Sequence, residues 1–469
     1  MVSLSEHPTS DREAKSEVID GLVLAALLIA ALLLGGGSRI DLAGPVVLHV
    51  TTLAMLAWLT IARRIQWHAV PRAAWWFWGG IIALPVLQLV PLPPTIWQAL
   101  PGHALVAQMD ALLNESHWRP WSLAPGRTLN AFFSLSVPFC AFVLAIGLGR
   151  HWIGLILRLF VVMASVSALL GIAQVMAGPD SILYFYDVTN SDASVGLFSN
   201  ANHHGLFLAC AVPCIFALVQ VRLFSDRDYP FSAIMLAIAA LLLITLSLIL
   251  TFSRAGIALY SIALLVSLFL FDPQGMGIGR RAFLGGFGAL IAVGLGLFML
   301  LAAEKIFGSS ALSGVAEDGR IGNIGLFASI AKHYFPFGSG LGSLDPVFRI
   351  YETTDMVDLT YLNNAHNEPA QLLIEAGIFG VALCIWAVLA WLVNARGVWA
   401  PASSRKGRTL RAYRRAASLC IGMALLHSVA DYPLRAAAMA CLIAIFAAFA
   451  LEPRSNRSSL LVSDEQERS

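Results

Sequence analysis

Residues 232–271 read SAIMLAIAALLLITLSLILTFSRAGIALYSIALLVSLFLF, two long apolar runs in which Arg254 is the only charged residue. A transmembrane helix needs about 20 mostly apolar residues. The stretch therefore predicts two membrane-spanning helices, joined by a short turn at Thr251, Phe252 and Ser253. Ser253 is a plausible N-cap for the second helix, because its hydroxyl can accept a bond from an unpaired backbone N–H.

The composition places the whole chain in the membrane class. Of its 469 residues 58% are hydrophobic and 12% are charged, and the mean hydropathy is +0.75. Average soluble domains carry about 25% charged residues, so this chain could not cover a globular surface with polar groups. All six cysteines fall inside apolar runs, which is typical of buried or lipid-facing thiols rather than of disulfides.

Apolar runs of transmembrane length recur along the sequence. They lie near 18–34, 44–62, 75–91, 131–149, 152–176, 204–221, 232–250, 255–271, 282–303, 369–393, 412–430 and 434–451. The sequence therefore predicts an all-α polytopic bundle with about 12 transmembrane helices. No small-residue cleavage signal follows the first run, which is interpreted as a retained span.

The basic residues predict the orientation of the bundle. With the N-terminus in the cytoplasm, 20 of the 30 Lys and Arg residues lie in inner segments, and residues 394–415 alone carry seven. This asymmetry agrees with the positive-inside rule. We expect cytoplasmic tails at 1–17 and 452–469, spans 1–9 over 18–303 and spans 10–12 over 369–451. The large loop at 304–366 then lies on the outer side.

Part of the large outer loop has a helical pattern. Its apolar residues recur at helical spacing: Ile321, Ile324, Phe327, Ala328, Ala331, Tyr334 and Phe335. The pattern predicts a short amphipathic helix, which either lies on the outer leaflet or packs on the bundle.

Three arginines lie on the predicted outer side: Arg254 and Arg435 at span ends, and Arg320 in the large loop just before the amphipathic stripe. An arginine at a span end is often an anchor that reaches the headgroups, but the positive-inside rule makes outer arginines less expected. A guanidinium fork matches phosphate oxygens, so the three arginines are candidates for binding an anion. Arg435 alternatively pairs with Asp431, four residues before it.

The string Asn363-Asn364-Ala365-His366-Asn367-Glu368-Pro369 ends the large loop. Asn367 can cap the following span, and Pro369 fits its first turn. His366 then lies just outside a helix N-terminus, where the helix dipole disfavours an imidazolium and leaves a neutral ring that can accept a proton. The alternative is a histidine that only caps or packs.

Other polar residues in apolar surroundings are weaker candidates. Glu375 lies two turns after Glu368 on the same helix face. An Asp at the centre of a membrane helix costs ~2.5–3.5 kcal/mol, so Glu375 is expected to have a partner such as an arginine, or to line a wet cavity. His203 and His204 are adjacent and point in different directions on a helix, which argues against a metal-ligand pair.

Several of these motifs together resemble the O-antigen ligase and Wzy-type polymerase superfamily of bacterial membrane glycosyltransferases. The similar strings are FSNAN (198–202), SRAG (253–256), Arg320, PFGSGLG (336–342), His366-Asn367, EAGIFG (375–380) and DYPLR (431–435). The resemblance extends over about residues 195–440. Ala255 stands where the family often has glycine.

The resemblance implies a fold related to the C-type membrane glycosyltransferases and a location in the bacterial inner membrane with a periplasmic active site. A glycan would pass from undecaprenyl pyrophosphate to lipid A core in a ligase, or to another lipid-linked glycan in a polymerase. Neither a metal nor another cofactor would take part. Arg254 and Arg320, with Arg435, would bind the donor pyrophosphate, and His366 would deprotonate or position the acceptor hydroxyl. The supporting residues would be Asn202, Asn367, Glu375 and Asp431.

Two other classes of function compete with this interpretation. A secondary transporter or flippase tends to place ionisable groups near the membrane midplane, often in repeated halves. In this chain only Arg158 and Glu375 are strongly charged residues well inside spans. A membrane scaffold would leave His366 and the outer arginines unexplained. The sequence leaves open the choice between ligase and polymerase, the sugars and their linkage, the acceptor, the stereochemical outcome and the oligomeric state.

Overall fold

The structure, a computed structural model, describes residues 7–39, 42–223, 230–270, 324–354, 362–400 and 405–451. Its helices are α1 (His7–Leu34), α2 (Ala43–Ile61), α3 (Arg72–Leu89), α4 (Pro94–Trp97), α5 (Ala104–Leu112), α6 (Pro125–Ser134), α7 (Ser136–Ala145), α8 (Arg150–Ala177), α9 (Ala201–Leu223), α10 (Pro230–Ile249), α11 (Arg254–Leu270), α12 (Ile324–Tyr334), α13 (Leu344–Tyr351), α14 (Glu368–Trp399), α15 (Arg405–His427) and α16 (Ala437–Ala450). Two 3₁₀ helices cover Trp67–Ala69 and Pro433–Arg435, and β1 (Pro91–Leu92) pairs antiparallel with β2 (Arg119–Pro120). The predicted all-α class is confirmed.

The predicted spans agree with these helices, except that 282–303 lies outside the described residues. Within the described ranges seven helices are long and apolar enough to cross a membrane, with α6 and α7 taken as one, and α11 and α16 are apolar but shorter. The polytopic membrane architecture is therefore confirmed. Several boundaries differ by some residues. The helix α1 begins at His7, so much of the expected polar tail 1–17 is helical, and α15 begins at Arg405 instead of the expected 412.

Helix α9 is the central helix of the bundle. Its segment Ala201–Arg222 is 83% buried inside the protein, whereas the corresponding figure for α14 is 17%. Phe207 of α9 packs edge-to-face on Phe160 of α8, and α9 also contacts α10, α11 and α15. Close packing, rather than exclusion of water, holds helices together in a bilayer. Because α9 is packed in this way on several neighbours, the side chains at its start are surrounded by protein.

Contacts at the two ends of the bundle agree with the predicted alternation of sides. At one end the Glu17 carboxylate accepts a hydrogen bond from the Gly149 backbone at 2.8 Å. At the other end the Ser199 backbone N–H donates to the carbonyl of Gly36 at 3.2 Å. Each pair joins two segments that the basic residues predict on one side of the membrane.

Helix α14 is broken at Gly377, whose φ is 55°. The break leaves the carbonyls of Ile374 and Glu375 available, and they accept hydrogen bonds from the backbones of Ser339 (2.9 Å) and Gly340 (2.8 Å). Buried backbone groups need such partners. The glycine-rich turn at 338–342 is therefore bound to the break in α14 by backbone hydrogen bonds, and its role is structural.

The predicted amphipathic helix is α12, and it packs on the bundle. Its buried side chains are Phe327, Ile330, Ala331 and Tyr334, which form a cluster with side chains of α13 and α14. Two residues of the expected stripe, Ile324 and Phe335, are 61% and 49% exposed, while Ala328 is also exposed and Ile321 lies outside the described residues. The structure therefore shows the packing on the bundle that one of the two predictions describes, and contact with the outer leaflet stays a prediction.

Candidate functional site

His366 and Asp431 form a hydrogen-bonded pair at one end of the bundle, the end that the basic residues predict to be the outer one. The Nδ1 atom of His366 lies 3.0 Å from Oδ1 of Asp431, and the two side chains are 21% and 1% exposed. His366 has a φ of 51°, in the left-handed region that non-glycine residues seldom adopt. Such a conformation persists only where surrounding contacts hold it.

Those contacts come from the start of α14. The Asn367 side chain accepts from the Ala370 backbone at 2.9 Å, so the predicted N-cap is confirmed. Its amide also donates to the carbonyl of Val429 at 2.9 Å, and the Glu368 backbone donates to the carbonyl of Ser428 at 2.8 Å. These bonds hold the chain before Asp431 against the chain around His366.

The carboxylate of Asp431 is the centre of this arrangement. It accepts from Nδ2 of Asn202 at 2.8 Å and from the Tyr432 backbone at 3.0 Å, besides His366. Burial alone would raise the pKa of Asp431, but the bond from His366 and the nearby rings of His203 and His427 hold the pKa of this carboxyl well below its ordinary value. An ionised Asp431 accepts Nδ1–H, and the assigned tautomer leaves Nε2 of His366 available to accept a proton.

A second link connects Asn202 with the start of α11. The Ser253 hydroxyl donates to Oδ1 of Asn202 at 2.6 Å and accepts from the Gly256 backbone at 3.0 Å, so the predicted cap of α11 is confirmed. Arg254 follows at once. It is exposed and, among the described residues, has no ion-pair partner. A continuous chain of hydrogen bonds thus runs from His366 to the residue before Arg254.

Arg254 and Asn202 line a cavity of about 720 Å³. Its walls are formed by residues 189–193, 201–202 and 251–255, with Ala430 beside Asp431. Helices α9 and α11 both begin at this cavity, and helix N-termini favour anions through their dipoles and unpaired N–H groups. The part of the cavity at Arg254 and the two helix N-termini therefore suits an anionic group.

Arg435 is engaged elsewhere. Its guanidinium donates to Glu375 at 3.0 Å, and the Glu375 side chain is fully buried. Glu375 also accepts from Nε2 of Gln371 at 3.0 Å. Glu375 therefore has the arginine partner that its position predicts, whereas the alternative pairing of Arg435 with Asp431 is wrong. Arg435 is absent from the described lining of the cavity.

The remaining candidates are placed as follows. Arg320 lies outside the described residues. Both ring nitrogens of His204 are used, with Ser167 Oγ and the Ser194 carbonyl each at 3.0 Å. Among the described residues, no group of three His, Cys, Asp or Glu side chains could hold a metal ion.

Sequence reasoning missed Gln88, which is fully buried in α3. Its amide donates to the carbonyl of Glu375 at 3.0 Å and accepts from the Leu341 backbone at 2.9 Å. The sequence does contain a signal for it, because Gln88 is a single polar residue within an apolar run. A buried polar group of this kind is expected to have hydrogen-bond partners.

Comparison with known family models gives a match over part of the chain. Residues 238–385 match a family model described as O-antigen ligase, and the predicted resemblance to that superfamily is thereby confirmed. The matched range includes Arg254, Arg320, His366 and Glu375, whereas Asn202 and Asp431 lie outside it. No curated protein matches the chain.

Proposed function

We propose, taking this chain as a member of the O-antigen ligase and Wzy-type polymerase superfamily, that it transfers a glycan from undecaprenyl pyrophosphate to an acceptor hydroxyl. The reaction takes place at the periplasmic face of the bacterial inner membrane. Of the two types in the superfamily we favour the ligase, whose acceptor is lipid A core.

In the proposed reaction Nε2 of His366 takes the proton of the acceptor hydroxyl, and the hydroxyl oxygen forms a bond to the anomeric carbon of the donor sugar. The bond between that carbon and the pyrophosphate oxygen breaks, and undecaprenyl pyrophosphate leaves. Arg254 and Arg320 stabilise the negative charge that grows on the leaving group. Because arginines supply this charge, the reaction needs no metal.

One observation carries this proposal: the chain of hydrogen bonds that joins His366 through Asp431 and Asn202 to Ser253, beside the cavity that Arg254 lines. A buried carboxylate that orients a histidine is the usual way to prepare a general base. A guanidinium at two helix N-termini, without an ion-pair partner among the described residues, suits a pyrophosphate.

The proposal is tested with purified protein, undecaprenyl-pyrophosphate glycan and lipid A core, with and without a chelator. We expect product in both conditions. His366→Ala should lower the rate by ~10²–10⁴-fold, the usual contribution of a general base, while His117→Ala, an exposed histidine, should be unchanged. Arg254→Lys and Arg320→Lys should weaken donor use, because lysine lacks the fork. Normal product from His366→Ala would overturn the assigned mechanism.

A deletion strain separates ligase from polymerase. Loss of a ligase leaves bare core and long lipid-linked polymer, whereas loss of a polymerase leaves single repeat units. Movement of lipid-linked glycan across the membrane without a new glycosidic bond would instead indicate a transporter.

A further inference from the structure

The proposed reaction uses the part of the cavity lining at Arg254 and leaves the part at residues 189–193 unassigned. We infer that the segment Thr189–Ala193 binds the sugar attached directly to the donor pyrophosphate, and that this subsite takes a neutral, hydroxyl-rich sugar. The inference rests on the proposed function and deepens it.

The segment is held in place by its own hydrogen bonds. Oδ1 of Asn190 accepts from the Ala201 backbone at 2.9 Å, which ties the segment to the first residue of α9. The Ala193 backbone donates to the carbonyl of Asn190 at 3.0 Å, and the Tyr184 hydroxyl donates to the carbonyl of Ala193 at 3.1 Å. The wall is therefore pre-organised, which lowers the entropy cost of binding a ligand.

Its remaining polar groups are available to a ligand. Among the described residues, the Ser191 hydroxyl and the Asp192 carboxylate have no hydrogen-bond or ion-pair partner, and Asp192 is exposed. In the described ranges only the side-chain oxygen of Asn190 has a partner, so its N–H₂ group is also available. Thr189 Oγ1 is buried and has no hydrogen-bond partner in the described part of the chain. An unpaired buried hydroxyl is costly, so its place in the cavity wall calls for an explanation.

This set of groups fits a sugar. A pyranose presents neighbouring hydroxyls, which a carboxylate and an amide can bind as acceptor and donor, and an apolar C–H face, which Phe252 in the same cavity can contact. The volume of about 720 Å³ lies within the ~300–1,000 Å³ typical of small-molecule sites. Asp192 would repel an acidic sugar, so the carboxylate also selects against uronic acids.

The test measures binding rather than turnover. The probes are undecaprenyl pyrophosphate alone and the same lipid carrying N-acetylglucosamine, galactose or glucuronic acid. In the wild-type protein a neutral sugar should raise the affinity, and glucuronic acid should not. Asp192→Ala should reduce the gain from the neutral sugars by about tenfold, as expected for loss of a hydrogen bond to a charged group, without weakening binding of the sugar-free lipid.

Two further variants keep the outcome clear. Asn190→Asp retains the oxygen that caps α9 but loses the N–H₂ donor, so it should also reduce the gain. Asp187→Ala, an exposed acid in the same outer segment, should not. If neutral sugars add nothing in the wild type, or if the gain survives both Asp192→Ala and Asn190→Asp, the subsite is refuted while pyrophosphate binding stands. If no lipid pyrophosphate binds at all, the proposed function fails together with the subsite.

Discussion

Two histidines that are neighbours in the chain have opposite surroundings. His203 and His204 are both fully buried, yet the ring nitrogens of His204 have two partners whereas those of His203 have none in the described part of the chain. The ring of His203 instead packs edge-to-face on Tyr432, 5.1 Å between centroids. The same residue type therefore contributes to stability in two different ways.

We expect His204→Leu to lower the free energy of unfolding by about 1–3 kcal/mol, because Ser167 and the Ser194 carbonyl lose their partner in the interior. His203→Leu should leave it unchanged or raise it, because leucine removes two unpaired polar atoms. Thermal unfolding of both variants in detergent checks this. Equal losses in the two variants would contradict it.

Measurements of unfolding also distinguish two roles for Arg435, a structural ion pair with Glu375 and binding of the donor. Removing it leaves the carboxylate of Glu375 buried without its cation, which costs about 3–5 kcal/mol in measured cases. Arg435→Met should therefore lower the unfolding temperature strongly, and adding Glu375→Gln should recover part of the loss. A stable Arg435→Met protein that binds undecaprenyl pyrophosphate poorly would indicate instead that Arg435 holds the donor.

At the scale of elements, the helices were largely predictable because a membrane span is encoded locally. Length and apolarity predict α10 and α11, and single residues predict their ends, as Ser253 does for α11 and Asn367 for α14. The exposed and buried sides of α12 were harder to predict. The predicted stripe includes Ile324 and Ala328, which are exposed, and omits Ile330, which is buried; only the contact with α13 and α14 decides this.

The break in α14 yields a matched pair of glycine variants. A Cβ at Gly377 would collide with the carbonyl oxygen of Pro336 and would sit at a φ of 55°, while Gly397 in the same helix has open space around it. We expect Gly377→Ala to cost more than the ~1–2 kcal/mol of a left-handed L-residue. Gly397→Ala should stabilise by ~0.5–1 kcal/mol. Unfolding temperatures test both, and a tolerated Gly377→Ala would mean that the break is not required.

For the whole molecule, the candidate site was only partly predictable. His366, Arg254 and Asp431 could be named from the residues around each of them, but not the way in which they connect. The bond between His366 and Asp431 joins residues 65 positions apart, and that between Asn202 and Asp431 spans 229. Such pairs depend on how α9, α14 and α15 pack, which no local pattern encodes.

The orientation is tested by the accessibility of single cysteines. Five of the six native cysteines are buried, so a Cys384→Ala background should react little. A membrane-impermeant thiol reagent should label His117→Cys in spheroplasts and Arg396→Cys only after permeabilisation, because the positive-inside rule places Arg396 in the cytoplasm. Reversed labelling would place the proposed site on the cytosolic side.

The hydrogen bonds of Gln88 limit which segments can be exchanged between this protein and related ones in a chimaera. One amide in α3, outside the family-matched range, supports both the turn at Leu341 and the broken helix at Glu375, which lie inside it. The matched region therefore depends on a residue outside it and is not an independent structural unit. A chimaera that joins it to a different N-terminal half must keep a glutamine at this place. Otherwise the Leu341 N–H loses its partner, and the Glu375 carbonyl keeps only its bond from Gly340.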